Sequence, residues 1–185
     1  FTVNRYNQSD LPEILDIVEK EGIPRFCMYH LVYAGRGAQM ADMDTSIEET
    51  RQILDFLSER TVDLHQRGVQ VEILTTDNHA DGIYLLNRIR QQQPERVEEI
   101  VTLLQMHGGC SAGTKFANVD PRGNVHPCQF WQDYTVGNVR ERPFAEIWNS
   151  DDELMVMLRE KDKHIKGRCG ACTYKSLCSG CRIRA

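Results

Sequence analysis

Six of the seven cysteines lie between residues 110 and 181, and four of them fall in the stretch CGACTYKSLCSGC at 169–181. Two CxxC loops separated by five residues could form a four-thiolate zinc site, because each loop lets two thiolates reach one ion. Iron–sulfur clusters are also held by closely spaced cysteines together with ligands from distant segments. The spacing leaves both metals open. The candidate metal ligands are Cys110, Cys128, Cys169, Cys172, Cys178 and Cys181.

Composition indicates a folded protein in a reducing compartment. The 185 residues are 41% apolar and 26% charged, which suits one domain with a real core plus a smaller one. A net charge of −5 leaves no broad basic face for nucleic acid, and no apolar run is long enough to cross a bilayer. An odd cysteine count without a signal peptide favours metal binding over secreted disulfides, so we expect a cytoplasmic location.

The first part of the chain alternates short apolar runs with capped amphipathic segments. Asp10 stands where a helix N-cap is expected, with Glu13 three residues later. The run RFCMYHLVY at 25–33 is typical of a strand covered on both faces. FTVNRYN at the start is interpreted as the end of an earlier strand, and a chain that begins with Phe1 is expected to be a fragment. The remaining predicted elements are a helix over 45–67, a strand over 69–75, and helices over 82–92 and 95–106.

This order of elements predicts an α/β fold with parallel strands joined by right-handed crossovers. Three such units are too few to close a barrel. Ligands of these sheets lie beyond the carboxyl ends of the strands, so NRYN, YAGRG and TTDNHADG are expected to border one pocket. Cys27, within the first long apolar run, is predicted to be a core residue.

The character of the sequence changes after residue 107, where Gly, Pro, Asn and Asp become frequent. We therefore expect a first domain over 1–107 and a second over 108–185. FANVD and NVHPCQF flank a Pro-Arg-Gly turn, which predicts a β-hairpin. Helices at about 143–149 and 151–163 are expected to lead into the cysteine-rich end.

Several segments together resemble a known family. Cys110, the GNVHPC that ends at Cys128, VGNVRERPFAEIWNS and CGACTYKSLC are similar to the SPASM extension of radical SAM enzymes, which carries auxiliary [4Fe-4S] clusters. RFCMYHLVYAGRG, TTDNHADG and GGCSAG resemble the radical SAM enzymes of haem d1 biosynthesis, so that essentially the whole chain is covered. The resemblance implies the second half of a radical SAM partial (β/α)6 barrel, followed by a small irregular α+β SPASM-like domain.

The same resemblance implies an activity and partners. S-adenosylmethionine would be cleaved reductively, and the 5′-deoxyadenosyl radical would initiate loss of propionate side chains from 12,18-didecarboxysirohaem. An iron tetrapyrrole substrate and a low-potential electron donor of the ferredoxin or flavodoxin type are implied as partners. The CxxxCxxC loop that would bind the SAM cluster is missing from the chain, so we expect no catalysis by this segment alone and assign no catalytic residue.

The SPASM pattern also implies two cluster sites. The ligands of the outer cluster would be Cys169, Cys172 and Cys178, and those of the inner cluster Cys110, Cys128 and Cys181. The fourth outer ligand would lie past Ala185. The inner site departs from the pattern, because an upstream cysteine has no counterpart and the final CSGC loop is one residue short. One inner iron would then be open to a substrate, to His107 or to water.

Histidine and tyrosine side chains near the expected pocket are weaker candidates. His30 could approach the iron of a tetrapyrrole substrate, although a core histidine with a satisfied ring is the simpler explanation. His79 is a second candidate for the substrate, and both it and His126 are expected to be more exposed than His30. Tyr29 and Tyr33 are expected to share one face of the strand and to pack there.

Two loop residues could bind a cofactor. Arg36 in AGRG could hold a carboxylate of S-adenosylmethionine or of the substrate through its planar fork, and a solvated loop position is an equal explanation. Asp77 could line the same pocket or, like Asn78, only form a turn. The alternatives for the whole protein are a related radical SAM tetrapyrrole decarboxylase, a SPASM maturase acting on a peptide, and a non-catalytic zinc-binding module. The oligomeric state is not predicted.

Overall fold

The computed structural model describes residues 1–181 and Ile183, which form two compact units, Phe1–Arg88 and Ile89–Ile183. The domain boundary expected at residue 107 stays a prediction. The first unit holds a 3-10 turn at Gln8–Asp10, α1 at Leu11–Lys20, β1 at Arg25–Tyr29, a 3-10 segment at Gly35–Met43, α2 at Ile47–Gln66, β2 at Glu72–Thr76 and most of α3 at Ala80–Gln92. The second holds a 3-10 turn at Pro94–Arg96, α4 at Val97–His107, β3 at Asn118–Val119, β4 at Asn124–His126, β5 at Gly137–Asn138, α5 at Phe144–Trp148, α6 at Glu153–Arg159, α7 at Lys161–His164, α8 at Gly167–Gly170 and α9 at Lys175–Cys178.

The sheet of the first unit is parallel, as predicted. β1 and β2 pair in register from Arg25 with Glu72 to Tyr29 with Thr76. Thr2 adds an isolated parallel bridge to Tyr29, so the opening segment lies beside β1 as a strand end would. The α/β class is therefore confirmed as a mixed fold with small sheets, whereas the described strands do not show a closed or partial barrel.

Burial along β1 alternates, which differs from the expectation of a strand covered on both faces. Phe26 and Met28 are buried in a core that they share with apolar side chains of α1 and α2. Cys27 is only half-buried and Tyr29 is exposed. The predicted core position of Cys27 is thus only partly correct, because within this unit the helices α1 and α2 pack against the other face of the strand.

The helix caps also differ from the sequence prediction. The side chain of Asp10 makes no capping hydrogen bond, because a 3-10 turn runs directly into α1 and holds Asp10 in a helical conformation. The reciprocal capping box lies instead at α2. Ser46 Oγ accepts from the Glu49 N–H at 3.1 Å, and the Ser46 N–H donates to Glu49 at 2.7 Å.

The second unit contains the predicted hairpin. β3 and β4 are antiparallel around the Pro-Arg-Gly turn, and β5 extends this sheet. Its core gathers Val125, Val136, Ile147 and Met155. The single helix expected over 151–163 is interrupted at Glu160, whose backbone leaves the helical conformation (φ −110°, ψ 38°) between α6 and α7. Among the described residues, no helix has the length and apolar character needed to cross a membrane.

Candidate functional site

Cys110 lies where two distant parts of the second unit touch. It is buried, and the preceding Gly109 has a left-handed backbone with φ of +66°. A Cβ atom on Gly109 would stand 2.2 Å from the carbonyl oxygen of Cys178, so only glycine allows the two backbones to come this close. The ammonium of the buried Lys161 donates a hydrogen bond to the carbonyl of Cys110. The Cys110 segment is therefore fixed beside the Cys178 segment.

The Cys128 segment joins the Cys110 segment from the other side. The Gly113 N–H donates to the carbonyl of Pro127 at 3.2 Å, immediately before Cys128. His126, which precedes this pair, is 3% exposed and contacts the carbonyl of Tyr134 through Nδ1 at 2.8 Å. Because a carbonyl only accepts hydrogen bonds, Nδ1 carries the proton. His126 was expected to be clearly more exposed than His30, but the two are almost equally buried, at 3% and 2%. The ring of His126 anchors the strand next to the cysteine.

The first CxxC loop forms a compact exposed turn. The Cys172 N–H donates to the carbonyl of Cys169 at 3.2 Å, and both side chains are exposed. The Tyr174 N–H points at Cys172 Sγ at 3.4 Å, the type of contact that stabilises a thiolate. Arg90 holds Tyr174 in place by donating to its hydroxyl at 2.7 Å, with the guanidinium 5.9 Å from the ring centre.

The backbone contacts of these cysteine segments are compatible with a cluster-binding site. Gly109 and Gly113 allow the backbones around Cys110, Cys128 and Cys178 to come together. The exposed loop from Cys169 to Cys172 adds an N–H to sulfur contact. Across residues 1–181 and 183, no three His, Cys, Asp or Glu side chains are placed to hold a metal ion. In a [4Fe-4S] cluster the thiolates bind different irons, so its ligands stand farther apart than those of one zinc ion.

The first unit contains a cavity of about 400 Å³ at the carboxyl ends of β1 and β2, where ligands of parallel sheets bind. Its wall combines two carboxylates with hydroxyl, amide and guanidinium groups. The hydroxyl of Tyr33 donates to Asp44, whose other oxygen accepts from the Thr45 N–H at 2.9 Å. The lining residues are Tyr33, Asp44, Thr45, Ile47, Thr50, Arg51, Leu54, Asn78, Ala80, Asp81 and Tyr84.

Tyr84 stands in this wall with its hydroxyl turned to a carboxylate. It donates to Asp55 at 2.9 Å. Burial raises the pKa of the Tyr84 phenol, and the hydrogen bond to Asp55 raises it further. Asp55 in turn is paired with Arg88. Tyr84 therefore stays protonated and acts as a fixed donor rather than as a base.

His30 and Asp81 form a buried pair beside the cavity. His30 Nε2 lies 2.7 Å from Asp81 Oδ2, and the two residues are 2% and 3% exposed. This geometry agrees with a core histidine, although Nδ1 of its ring has no partner among the described residues. The predicted contact of His30 with a substrate stays a prediction.

The other predicted pocket residues lie around the same strand ends. Arg36 is exposed in the 3-10 segment, and the described wall of the cavity contains neither Arg36 nor Asp77 nor His79. Asp77 adopts a left-handed backbone with φ of 69°, which supports its turn-forming role. His79 is half-buried. Tyr33 lies beyond the end of β1, so it does not share a strand face with Tyr29 as expected.

Comparison with known proteins supplies the family. Residues 110–173 match the model of SPASM, an iron–sulfur cluster-binding domain. The whole chain is 48% identical to an Fe-coproporphyrin III synthase of Methanosarcina barkeri and covers 48% of its length. It is 40% identical to a pre-heme d1 synthase of Dinoroseobacter shibae and covers 46% of that protein. Over its whole length the chain is similar to radical SAM enzymes that carry a SPASM domain. It spans about half the length of the curated relatives that it matches.

A solved structure has a similar fold. SuiB of Streptococcus suis, bound to the precursor peptide SuiA, superimposes with a TM-score of 0.67 at 18% identity, over 98% of this chain and 39% of SuiB. Identity at this level shows the fold alone. The cofactors of this family are [4Fe-4S] clusters and S-adenosylmethionine.

Sequence reasoning missed three buried charged residues of these sites. Asp44 and Asp81 line the cavity, and Lys161 contacts Cys110. Asp81 pairs with a histidine fifty-one positions away, which no local pattern reveals. Lys161 stands in a segment rich in charged residues and was indistinguishable from its exposed neighbours.

Proposed function

We propose that this chain is the C-terminal part of a radical SAM enzyme that removes propionate side chains from 12,18-didecarboxysirohaem. The identity of 40% with a pre-heme d1 synthase over the whole chain supports this proposal. A second candidate is formation of Fe-coproporphyrin III, because the archaeal synthase of that name is 48% identical over the whole chain. Both candidates act on side chains of an iron tetrapyrrole. S-adenosylmethionine, when bound, supplies the radical that starts such chemistry.

The same proposal assigns the cysteines. Cys110, Cys128 and Cys181 would hold an inner [4Fe-4S] cluster, and Cys169, Cys172 and Cys178 an outer one. The contact of Gly109 with the backbone of Cys178 supports a common cluster-binding region, because it keeps together an inner-cluster and an outer-cluster segment that are far apart in the sequence. The division of the cysteines between the two clusters follows the SPASM pattern. The chain's own part is to fix these segments and to exclude water from the buried Cys110.

The remaining expected features belong to the same hypothesis. A low-potential ferredoxin or flavodoxin would deliver electrons, and the protein would work in the cytoplasm. Arg36 and Asp77 would contact S-adenosylmethionine or a substrate carboxylate, and His30 and His79 the tetrapyrrole. The exposed Arg36 could reach a ligand without breaking a buried contact.

The decisive experiment uses the full-length protein under anaerobic conditions. It is incubated with S-adenosylmethionine, dithionite and 12,18-didecarboxysirohaem, and the products are identified by mass spectrometry. Loss of propionate carbon together with 5′-deoxyadenosine supports the first candidate, and a product with the mass of Fe-coproporphyrin III supports the second. An unchanged tetrapyrrole alongside accumulating 5′-deoxyadenosine would refute both.

The ligand assignment has its own test with a matched control. Cys169→Ser and Cys172→Ser should each lower the iron and acid-labile sulfide content, because thiolates rather than hydroxyl groups hold the cluster. Cys27→Ser should leave the iron content unchanged, since Cys27 lies in β1. Tightly bound zinc in a colourless wild-type protein would instead support the non-catalytic zinc module.

A further inference from the structure

Positive charge is concentrated at the cysteine-rich end of the chain. Residues 163–185 contain six Lys and Arg residues and neither Asp nor Glu, although the whole chain has 22 Lys and Arg against 27 Asp and Glu. Such a separation of charge within an acidic chain indicates a surface that attracts an anionic partner. The six residues are Lys163, Lys166, Arg168, Lys175, Arg182 and Arg184, of which Arg182 and Arg184 lie outside the described residues.

Three of these cations have no acidic partner in the part of the chain that the structure describes. Lys163 is paired with Glu160 at 2.8 Å. No ion pair or side-chain hydrogen bond joins Lys166, Arg168 or Lys175 to another described residue. Lys166 and Arg168 are exposed, and Lys175 is half-buried. These three residues, the basic loop, therefore present positive charge that a partner can neutralise.

The basic loop surrounds the two exposed cysteines. Arg168 directly precedes Cys169, and Lys175 follows Cys172 by three residues. Both cysteines are exposed, whereas Cys110 is buried. A cluster held by Cys169 and Cys172 would therefore lie at the protein surface. Electron transfer between two proteins slows steeply as the distance between their redox centres grows, so a redox partner must dock close to such a site.

The exposure of these cations suits a macromolecule better than a small anion. Small-molecule sites are concave and bury most of their ligand, whereas Lys166 and Arg168 are exposed. A short-lived complex between electron-transfer proteins buries little surface, and complementary charges bring the two partners together. Nucleic acid fits less well, because the net charge of −5 opposes a long polyanion away from this stretch.

We propose that the basic loop docks a small acidic electron-transfer protein, which delivers electrons to the cluster held by Cys169 and Cys172. The step moves one electron and no proton: the reduced partner is oxidised, and the [4Fe-4S]²⁺ cluster becomes [4Fe-4S]⁺. This proposal rests on the proposed function for the cluster ligands and for the low-potential donor. It adds the surface at which that donor binds.

The test uses the full-length enzyme under anaerobic conditions, with an acidic [2Fe-2S] ferredoxin and an acidic flavodoxin as probes. Lys166→Glu and Arg168→Glu should each slow the association of both probes roughly threefold to tenfold at low salt, because electrostatic steering changes association rates by about 10–10³-fold in total. Cluster reduction by the reduced probes, followed by stopped-flow absorbance, should slow by a similar factor. The difference from wild type should shrink at about 1 M salt, where the Debye length is about 3 Å.

Two controls separate docking from other effects of the substitutions. Lys20→Glu makes the same change of net charge at an exposed lysine of α1, and it should leave both association rates close to those of the wild type. Photoreduced deazaflavin is a small reductant that needs no docking surface. It should reduce the clusters of Lys166→Glu and of the wild type equally, and the iron and sulfide contents of the two should agree.

Each outcome bears on the proposal. Equal slowing in Lys20→Glu and Lys166→Glu would mean that only net charge matters, and the proposal would be overturned. It would also be overturned if neither probe bound the iron-loaded wild type, if a DNA duplex bound more tightly than both probes, or if Lys166→Glu lost affinity for iron coproporphyrin III. The iron content of Cys169→Ser tests the ligand assignment and tetrapyrrole turnover tests the reaction, so these ideas can fail independently.

Discussion

Replacing Gly109 by alanine should separate the Cys110 segment from the Cys178 segment. The new Cβ would stand 2.2 Å from the carbonyl oxygen and 2.7 Å from the carbonyl carbon of Cys178, so one backbone must move. The left-handed conformation of Gly109 costs an alanine about 1–2 kcal/mol. The overlap adds about 1–3 kcal/mol, as overpacking does in cores. We expect a total loss of about 2–5 kcal/mol.

Gly108→Ala is the matched control because it shares the backbone strain without the overlap. Gly108 has φ of +73°, and the nearest atom to a Cβ added there would be Lys115 Nζ at 3.7 Å. This variant should lose only about 1–2 kcal/mol. The assays are anaerobic denaturant unfolding and the iron and sulfide content after reconstitution of the full-length protein. Equal stability and equal iron in the two variants would refute the claim that this close approach builds the site.

Three further predictions concern stability. Burial acts to raise the pKa of Asp120, but hydrogen bonds from Asn124 hold this pKa at about 2, below the usual 3.8. The ionised Asp120 therefore stabilises the fold above about pH 4, and this stabilisation is lost as the pH falls towards 2. The stability of the Asp120→Asn variant should depend less steeply on pH over that range in acid unfolding. Ser46→Ala removes the capping box of α2 and should cost about 1 kcal/mol in urea unfolding. Lys161→Met should lower the free energy of unfolding by about 1–3 kcal/mol, because it leaves the Cys110 carbonyl unpaired. The control Lys163→Met, at an exposed position, should change the stability little. Equal effects of the two substitutions would contradict a buried role for Lys161.

Local sequence patterns predicted which helices and strands form more accurately than where each of them ends. The apolar run of β1 and the glycine that ends α2 predicted a strand and a helix in the right order, and the parallel pairing of β1 with β2 agrees with that order. Such patterns are visible in the sequence because neighbouring residues set strand and helix periodicity. The same run overextended β1 by four residues, since His30 and Tyr33 turn towards Asp81 and Asp44 instead. Those contacts depend on tertiary partners, which periodicity does not contain.

The candidate sites, too, were predicted only where a local sequence pattern reveals them. The cysteine spacing and the segments around it led to the SPASM family, which the match over 110–173 confirms. Asp81 was not predicted as a site residue, because its importance comes from burial and from an oxygen without a partner among the described residues. Asp10 illustrates the opposite error, since a plausible capping pattern was overridden by the 3-10 turn that precedes α1.

The contact of Arg90 with Tyr174 has a consequence for electron transfer. Tyr174 offers its N–H to the sulfur of Cys172, and Arg90 holds that tyrosine from the end of α3. Hydrogen bonds to cluster sulfurs raise the reduction potential by stabilising the additional negative charge of the reduced state. If Cys172 binds iron as proposed, a substitution of Arg90, far from the cysteine loop in sequence, would change the driving force for electron transfer without altering any ligand.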